Sequence, residues 1–402
     1  MAIIRFSLLI LFVFDKGYWQ MLEETHFSGI FMSVINKNNL CKERGITVMG
    51  SFSWLHFSDL HLTPKTNFDT GYAREQLLDF LRNETVIGAL PCDYIFITGD
   101  IAHQNNYDGV KDFATNLFHA LNWSPENYDK VFWAVGNHDI SRNNPIRNLI
   151  IADTRNAQDR EDLFDERMNS VDFQEILISK GMNDYHHWHK KLLGRDVYAN
   201  NSISPHTPYR LLDLNLIVLN TCLTSCDDND EHSLLINESG LKCAFEGFDH
   251  SNPTFVIGHH GKEFFTRETQ DNVGHLYNSK NVDLYLCGHS HRLGYDIFPQ
   301  AGRDLPQIVC GGGISDKYSK FSFMHGFYDK DKDEVTIKPY SYAEHGNRNW
   351  QFDGSLHLRL DGIKPLKLTG EKQKAPLIKQ RVNIDNDSSS KQWEWSSGFF
   401  RK

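Results

Sequence analysis

The chain has no apolar run long enough to cross a bilayer, no phosphate-binding P-loop sequence, no internal repeat and no sustained block of basic residues before its tail. The apolar stretch from Met1 to Phe14 is interrupted by Arg5 and Ser7 and falls short of the roughly 20 residues that a spanning helix needs. It also lacks a small-residue cleavage site, because Asp15, Lys16, Gly17, Tyr18 and Trp19 follow directly. The residues before Met49 show no sustained helical or strand period, and Met49-Gly50-Ser51 stands just ahead of the first strand. Translation is therefore expected to begin at Met49, with residues 1–48 as an extension. The seven cysteines are odd in number and irregularly spaced, which excludes an extracellular disulfide framework and points to a reducing, cytoplasmic setting. With a formal charge of −10 the overall field repels polyanions, so non-specific nucleic-acid binding is not expected.

What is present begins at Trp54, where short apolar runs with polar or glycine-containing tips alternate with amphipathic stretches, the pattern of a layered α/β fold. Leu55 to Phe57 stops at Ser58-Asp59, Tyr94 to Thr98 at Gly99-Asp100, and Val131 to Val135 at Gly136-Asn137-His138-Asp139. Thr254 to Ile257 stops at Gly258-His259-His260, and Asp283 to Cys287 at Gly288-His289-Ser290-His291. Helical spacing over Ala73 to Leu81 and Val110 to Leu121 supplies crossovers, so the five strands are expected to deliver their tips to one carboxyl edge. The charged stretch at 140–208 breaks this rhythm and is expected to be a helical insertion near the site mouth. Three later strands, Gln307 to Cys310, Phe321 to Tyr328 and Val335 to Tyr342, are expected to form a second sheet packed on the first. The whole is then a two-sheet β-sandwich flanked by helices, spanning 49–364. Residues 365–402 read as a polar tail whose Trp393, Trp395, Phe399 and Phe400 fold back onto the domain or dock a protein partner.

Each tip alone has a bland explanation, since Asp and Gly are favoured at turns and helix caps. Five in one chain, each directly after an apolar strand, are hard to attribute to turn chemistry and point to metal binding. As an ordered set they resemble the five-block signature of the calcineurin-like metallophosphoesterase superfamily, from Trp54 to about Leu360. The resemblance implies that Asp59, His61 and His291 bind one metal, that Asn137, His259 and His289 bind a second, and that Asp100 bridges them. Asp59 and His61 are expected to share a side as alternate residues of an extended segment, and His289 and His291 likewise. Carboxylate, amide and imidazole donors without thiolate favour Mn²⁺, Fe or Zn²⁺ over a soft metal or an all-oxygen Ca²⁺ cage.

The implied activity is hydrolysis of a phosphodiester or phosphomonoester by a hydroxide held between two ions roughly 3.5–4 Å apart. Two divalent ions, two carboxylates and one hydroxide leave about one net positive charge for the phosphate. His138 is expected to protonate the leaving oxygen and Asp139 to orient it. His260 is expected to support the metals, touch substrate or lie exposed, and His103 to be a supporting or solvated residue. Cys222, Cys226 and Cys243 lack paired CxxC spacing and read as ordinary thiols, and Gly311-Gly312-Gly313 as a turn near the site. The motif set resembles the cyclic-nucleotide and glycerophosphodiester phosphodiesterases. A DNA or RNA nuclease with the same metals would need a basic groove, for which Arg142, Arg147 and Arg155 are the candidates, and a non-catalytic scaffold would have lost ligand positions.

Overall fold

The computed structural model describes residues 50–63, 68–197, 205–227, 230–298, 304–313, 321–343 and 349–359. The expectations for 1–48 and for the tail with its aromatics lie outside them.

The apolar runs become strands buried on both faces, which is why they are continuous and not alternating. β1 (Phe52–Phe57), β2 (Tyr94–Thr98) and β3 (Val131–Ala134) run parallel, joined by the helices α1 (Phe68–Val86) and α2 (Val110–Ala120). Four α-helices follow, α3 (Pro145–Arg155), α4 (Arg160–Arg167), α5 (Val171–Gln174) and α6 (Asn183–Leu193), with a π-helix at Glu175–Lys180 between the last two, forming the expected helical insertion. The chain then enters a second sheet through β4 (Thr207–Arg210), β5 (Asn215–Val218), α7 (Glu238–Ala244), β6 (Thr254–Ile257), α8 (Arg267–Ser279) and β7 (Leu284–Cys287). It continues through β8 (Gly294–Phe298), β9 (Leu305–Val309), β10 (Ser322–Asp329), β11 (Glu334–Tyr342), β12 (Trp350–Phe352) and β13 (Leu356–Arg359).

Two mixed sheets result, ordered β12-β11-β10-β1-β2-β3, with β13 also on β11, and β4-β5-β6-β7-β9-β8. Two expectations need correction. The strands after His291 do not build the second sheet by themselves: β9 joins β7 there, whereas β10 and β11 return to the first sheet, β10 pairing antiparallel with β1 from Phe52↔Tyr328 to His56↔Met324. β1 is paired with β2 on one side only, and β10 covers the backbone groups left on its other edge. Nor do the five tips share one sheet edge, since three end strands of the first sheet and two end strands of the second.

The tips meet because the sheets pack face to face. Phe52, Trp54, Phe96 and Phe132 of the first sheet interleave with Phe255, Leu284, Leu286 and Ile308 of the second. The rings of Trp54 and Phe255 meet edge to face at 5.4 Å. Outside this layer, α1, α2 and the insertion cover the first sheet, and α7 and α8 cover the second.

The insertion is anchored by Arg147, whose fully buried guanidinium donates to the carbonyls of Ser225 (2.6 Å), Cys222 (3.0 Å) and Leu223 (3.1 Å) in the segment after β5. His206 joins that segment to α7: its Nε2 lies 3.1 Å from the Asn237 carbonyl, and its Nδ1 accepts from the Asn220 amide at 3.2 Å. One ring nitrogen must donate and the other accept, so the bonds require a neutral ring. Burial holds its pKa down to about 4. This folded value lies below the unfolded one of about 6.5, so the stabilisation is complete above pH ~6.5 and is lost as pH falls through about 4. Urea unfolding at pH 7 and pH 4 is expected to show His206→Gln losing less stability than the parent chain, by on the order of 3 kcal/mol.

Candidate metal centre

The tips continue the strand pairing briefly and then bend. The Asp59 amide donates to the Gly99 carbonyl (3.0 Å), that of His61 to Asp100 (2.9 Å) and that of Leu62 to Ile101 (2.8 Å). Asp59, His61, Asp100, His289 and His291 all have positive φ, from 42° to 66°. The Asp-x-His and His-x-His pairs are therefore not extended segments with alternating sides, as the sequence had suggested. Left-handed kinks aim both members at one point, at a strain of about 1–3 kcal/mol per residue.

The glycines beside these tips are required by close approach. A Cβ at Gly136 would strike the amide and carboxylate of Asp100, and one at Gly288 would strike Ser58 and the Asp59 carboxylate. The third glycine of Gly311-Gly312-Gly313 donates its amide to the Asp59 carbonyl at 2.7 Å, which bears out that turn's place near the site.

All seven candidate ligands come together. In one half, His291 Nε2 lies 3.3 Å from Asp59 Oδ1 and 3.1 Å from His61 Nε2. In the other, His259 Nε2 lies 3.1 Å from both Asn137 Oδ1 and His289 Nδ1. Asp100 Oδ2 stands between them, 3.7 Å from His61 Nε2 and 3.3 Å from His259 Nε2. Each carboxylate has one oxygen held by a backbone amide: Asp59 Oδ2 accepts from His289 (2.9 Å) and Asp100 Oδ1 from His138 (2.7 Å). The remaining oxygens, Asp59 Oδ1 and Asp100 Oδ2, are buried and bound by no backbone or hydroxyl donor; the imidazole nitrogens His291 Nε2 and His259 Nε2 face them, each at 3.3 Å. Buried carboxylate oxygens that face imidazole nitrogens, with no backbone donor, fit a cation. His and Asp clusters of this arrangement are capable of holding two divalent ions.

Hydrogen bonds, burial and charge set the state of each imidazole. His259 Nδ1 faces the Thr98 carbonyl at 2.8 Å and donates to it, leaving Nε2 aimed at the cluster. Burial keeps His61 and His289 neutral, with pKa values of about 4 and about 3. Burial acts to lower His259 too, but the pull of Asp100 outweighs it and raises the group to about 9. Burial pushes the Asp59 carboxyl up, and His291 beside it outweighs that and holds it at about 2. Without metal, protonated histidines beside the two aspartates partly balance their charge.

Asp139 does not serve the role expected of it. Its oxygens accept from the amides of Ala102 and Gly136, both at 2.9 Å, so it braces the backbone beneath two tips instead of orienting His138. Burial first, and Asp100 second, raise its pKa to about 7. The His138 ring stands edge-on against His61, with centroids 4.7 Å apart, beside the first half of the site.

His260 is fully buried, not exposed. Its Nδ1 lies 2.9 Å from Thr221 Oγ1 and its ring 4.4 Å from that of His289. His103 is drawn against both His61 and His138, and its position three residues after Asp100 was the only sequence signal for it. Cys222 is buried and Cys243 exposed, and the six described cysteines are free thiols. The three arginines considered for a basic groove part company: Arg147 is buried, Arg155 pairs with Asp230 at 2.6 Å, and Arg142 donates to the Asn137 carbonyl at 2.7 Å. Among the described residues, no helix is long and apolar enough to cross a membrane.

The chain is 25% identical over 332 residues to the metallophosphoesterase-like protein YydB of Bacillus subtilis (strain 168), covering 78% of this chain and 66% of that protein. Among solved structures it is similar to purple acid phosphatase PPD1 from yellow lupin, Lupinus luteus, at 13% identity and a TM-score of 0.48, over 78% of this chain and 54% of that one. It is also similar to a Vps29 double mutant from Entamoeba histolytica, at 12% identity and a TM-score of 0.32, over 76% of this chain and 99% of that one. The chain thus spans just under two thirds of YydB and about half of the lupin chain. The family described as calcineurin-like phosphoesterase matches residues 52–293, more than half of the chain and a span that contains every residue of the cluster, and the chain belongs to that family.

Proposed function

We propose that the protein is a two-metal hydrolase of phosphate esters acting on a phosphodiester or phosphomonoester. The observation that carries this reading is the pair of buried carboxylate oxygens, Asp59 Oδ1 and Asp100 Oδ2, bound by no backbone or hydroxyl donor and set among four imidazoles and the Asn137 amide. Asp59, His61 and His291 would hold one ion, Asn137, His259 and His289 the other, with Asp100 shared. The mixed oxygen and nitrogen donors suit Mn²⁺, Fe or Zn²⁺. Such a pair of ions, when bound, polarises a phosphate and lowers the pKa of water toward neutrality.

The chain's own groups do the remaining work. Thr98 and the His138 and His289 amides fix the donors in place, so little reorganisation is needed. His138, beside the first half of the site and only partly buried, is placed to give a proton to the departing oxygen. In this reading the catalytic domain is 49–364 with its insertion at 140–208, and the free cysteines support a reducing, cytoplasmic location. A polynucleotide substrate is disfavoured because Arg147 and Arg155 are engaged within the protein. The filled ligand set disfavours a purely scaffolding role, although the aromatic tail leaves room for a protein partner.

With Mn²⁺, the purified protein is expected to hydrolyse an aryl phosphodiester or its monoester, and the ratio of the two rates assigns the substrate class. Asp100→Ala should reduce that turnover by at least about 10²-fold, the scale of losing one electrostatic contributor. Turnover that survives in this variant would reject the site. Metal analysis of His138→Ala should find two ions per chain while kcat falls by about 10²-fold or more. Loss of an ion in that variant would instead make His138 a ligand.

A further inference from the structure

His103 lies outside the seven candidate ligands, yet its ring packs against two histidines of the site. Its Nδ1 is 3.4 Å from Nδ1 of His61, whose opposite nitrogen, Nε2, faces His291 and Asp100. Its ring stacks on that of His138, with centroids 5.3 Å apart and planes at 13°, while His61 stands edge-on to both rings.

The turn that presents it is bonded on several sides. The Asn106 amide closes the turn on the His103 carbonyl at 3.0 Å, and Gln104 and Asn105 adopt left-handed φ of 51° and 59°. The Asn105 amide donates to the His138 carbonyl at 2.7 Å, and its side chain donates to Asp184 of α6 at 2.5 Å. Ala102, just before the turn, is tied to Asp139. Asn105, held at left-handed φ and bonded to a site tip on one side and to the insertion on the other, points to a position that serves the site.

The chemistry follows from how an imidazole ligates. A histidine that offers Nε2 to a cation carries its proton on Nδ1 and needs an acceptor there. His259 finds one in the Thr98 carbonyl. For His61 the group opposite Nδ1 is the His103 ring.

We propose that His103 is a positioning residue that accepts the Nδ1 proton of His61 and so fixes the tautomer and ring angle with which His61 meets the first metal. This rests on the two-metal reading of the site. His103 accepts through Nδ1 and carries its own proton on Nε2. The insertion thereby acts on the metal centre through α6, Asn105 and the turn.

The test compares the parent chain with His103→Ala, which removes the acceptor, and His103→Asn, whose side-chain oxygen can stand near the lost Nδ1. Ring ¹⁵N NMR of the metal-free proteins at neutral pH should show His61 protonated on Nδ1 in the parent and in His103→Asn, and shifted toward the other tautomer in His103→Ala. Calorimetric titration with Mn²⁺ should show one of the two sites weakened by about 10–100-fold in His103→Ala and restored in His103→Asn. Equal thermal melting of His103→Asn and the parent would show that the comparison is between folded proteins. An unchanged His61 tautomer and two parent-like Mn²⁺ affinities in His103→Ala would overturn the proposal. A parent chain that binds fewer than two ions would overturn the two-metal reading instead, and the tautomer comparison would still decide the hydrogen bond.

Discussion

Two carboxylates, Asp59 and Asp100, are buried side by side, each with one oxygen bound to a backbone amide and the other facing imidazole nitrogens. An ionised carboxylate taken out of water costs several kcal/mol unless a counter-charge compensates it. Much of the surrounding structure answers that demand. His259 and His291 are pulled toward the charged form by these aspartates, whereas His61 and His289 remain neutral and available as donors. A pair of cations would satisfy in one step what the protein alone satisfies in part.

The backbone shows the same constraint. Five residues at positive φ and glycines without room for a Cβ bring the tips closer than ordinary strand ends can come. Such geometry persists only when surrounding structure over-determines it. Here the aromatic layer of Trp54, Phe96, Phe132 and Phe255 locks the two sheets together, and the tips emerge where those sheets meet. Asp139, fully buried, ties two tips through their amides and contributes to the same rigidity without touching the cluster centre.

The insertion is joined to this frame at both ends of the site. Arg147 grips the segment after β5 through three carbonyls, and Asp184 reaches the turn that carries His103. Arginines of a charged stretch thus become a set of internal fastenings, with Arg142 turned onto the Asn137 carbonyl. In the proposed reading, the charge that a phosphate meets would be set at the bound ions, which would reconcile an acidic chain with an anionic substrate.

Local pattern determined much of this protein. Tyr94–Thr98 and Thr254–Ile257 form strands over the residues that their apolar runs mark, and the polar tip after each strand supplies the side chains that meet in the site. Those signals are legible because strand burial and tip chemistry are written within a few consecutive residues. Tertiary structure decided how strands divide between sheets, since pairing β10 with β1 joins residues about 270 positions apart, which no local pattern encodes. It also decided the left-handed kinks at Asp59 and His291, the burial of His260, the bracing role of Asp139 and the contact of His103 with His61. Each depends on which atoms arrive from elsewhere in the chain, and that becomes fixed only when the two sheets pack and the tips are pressed together.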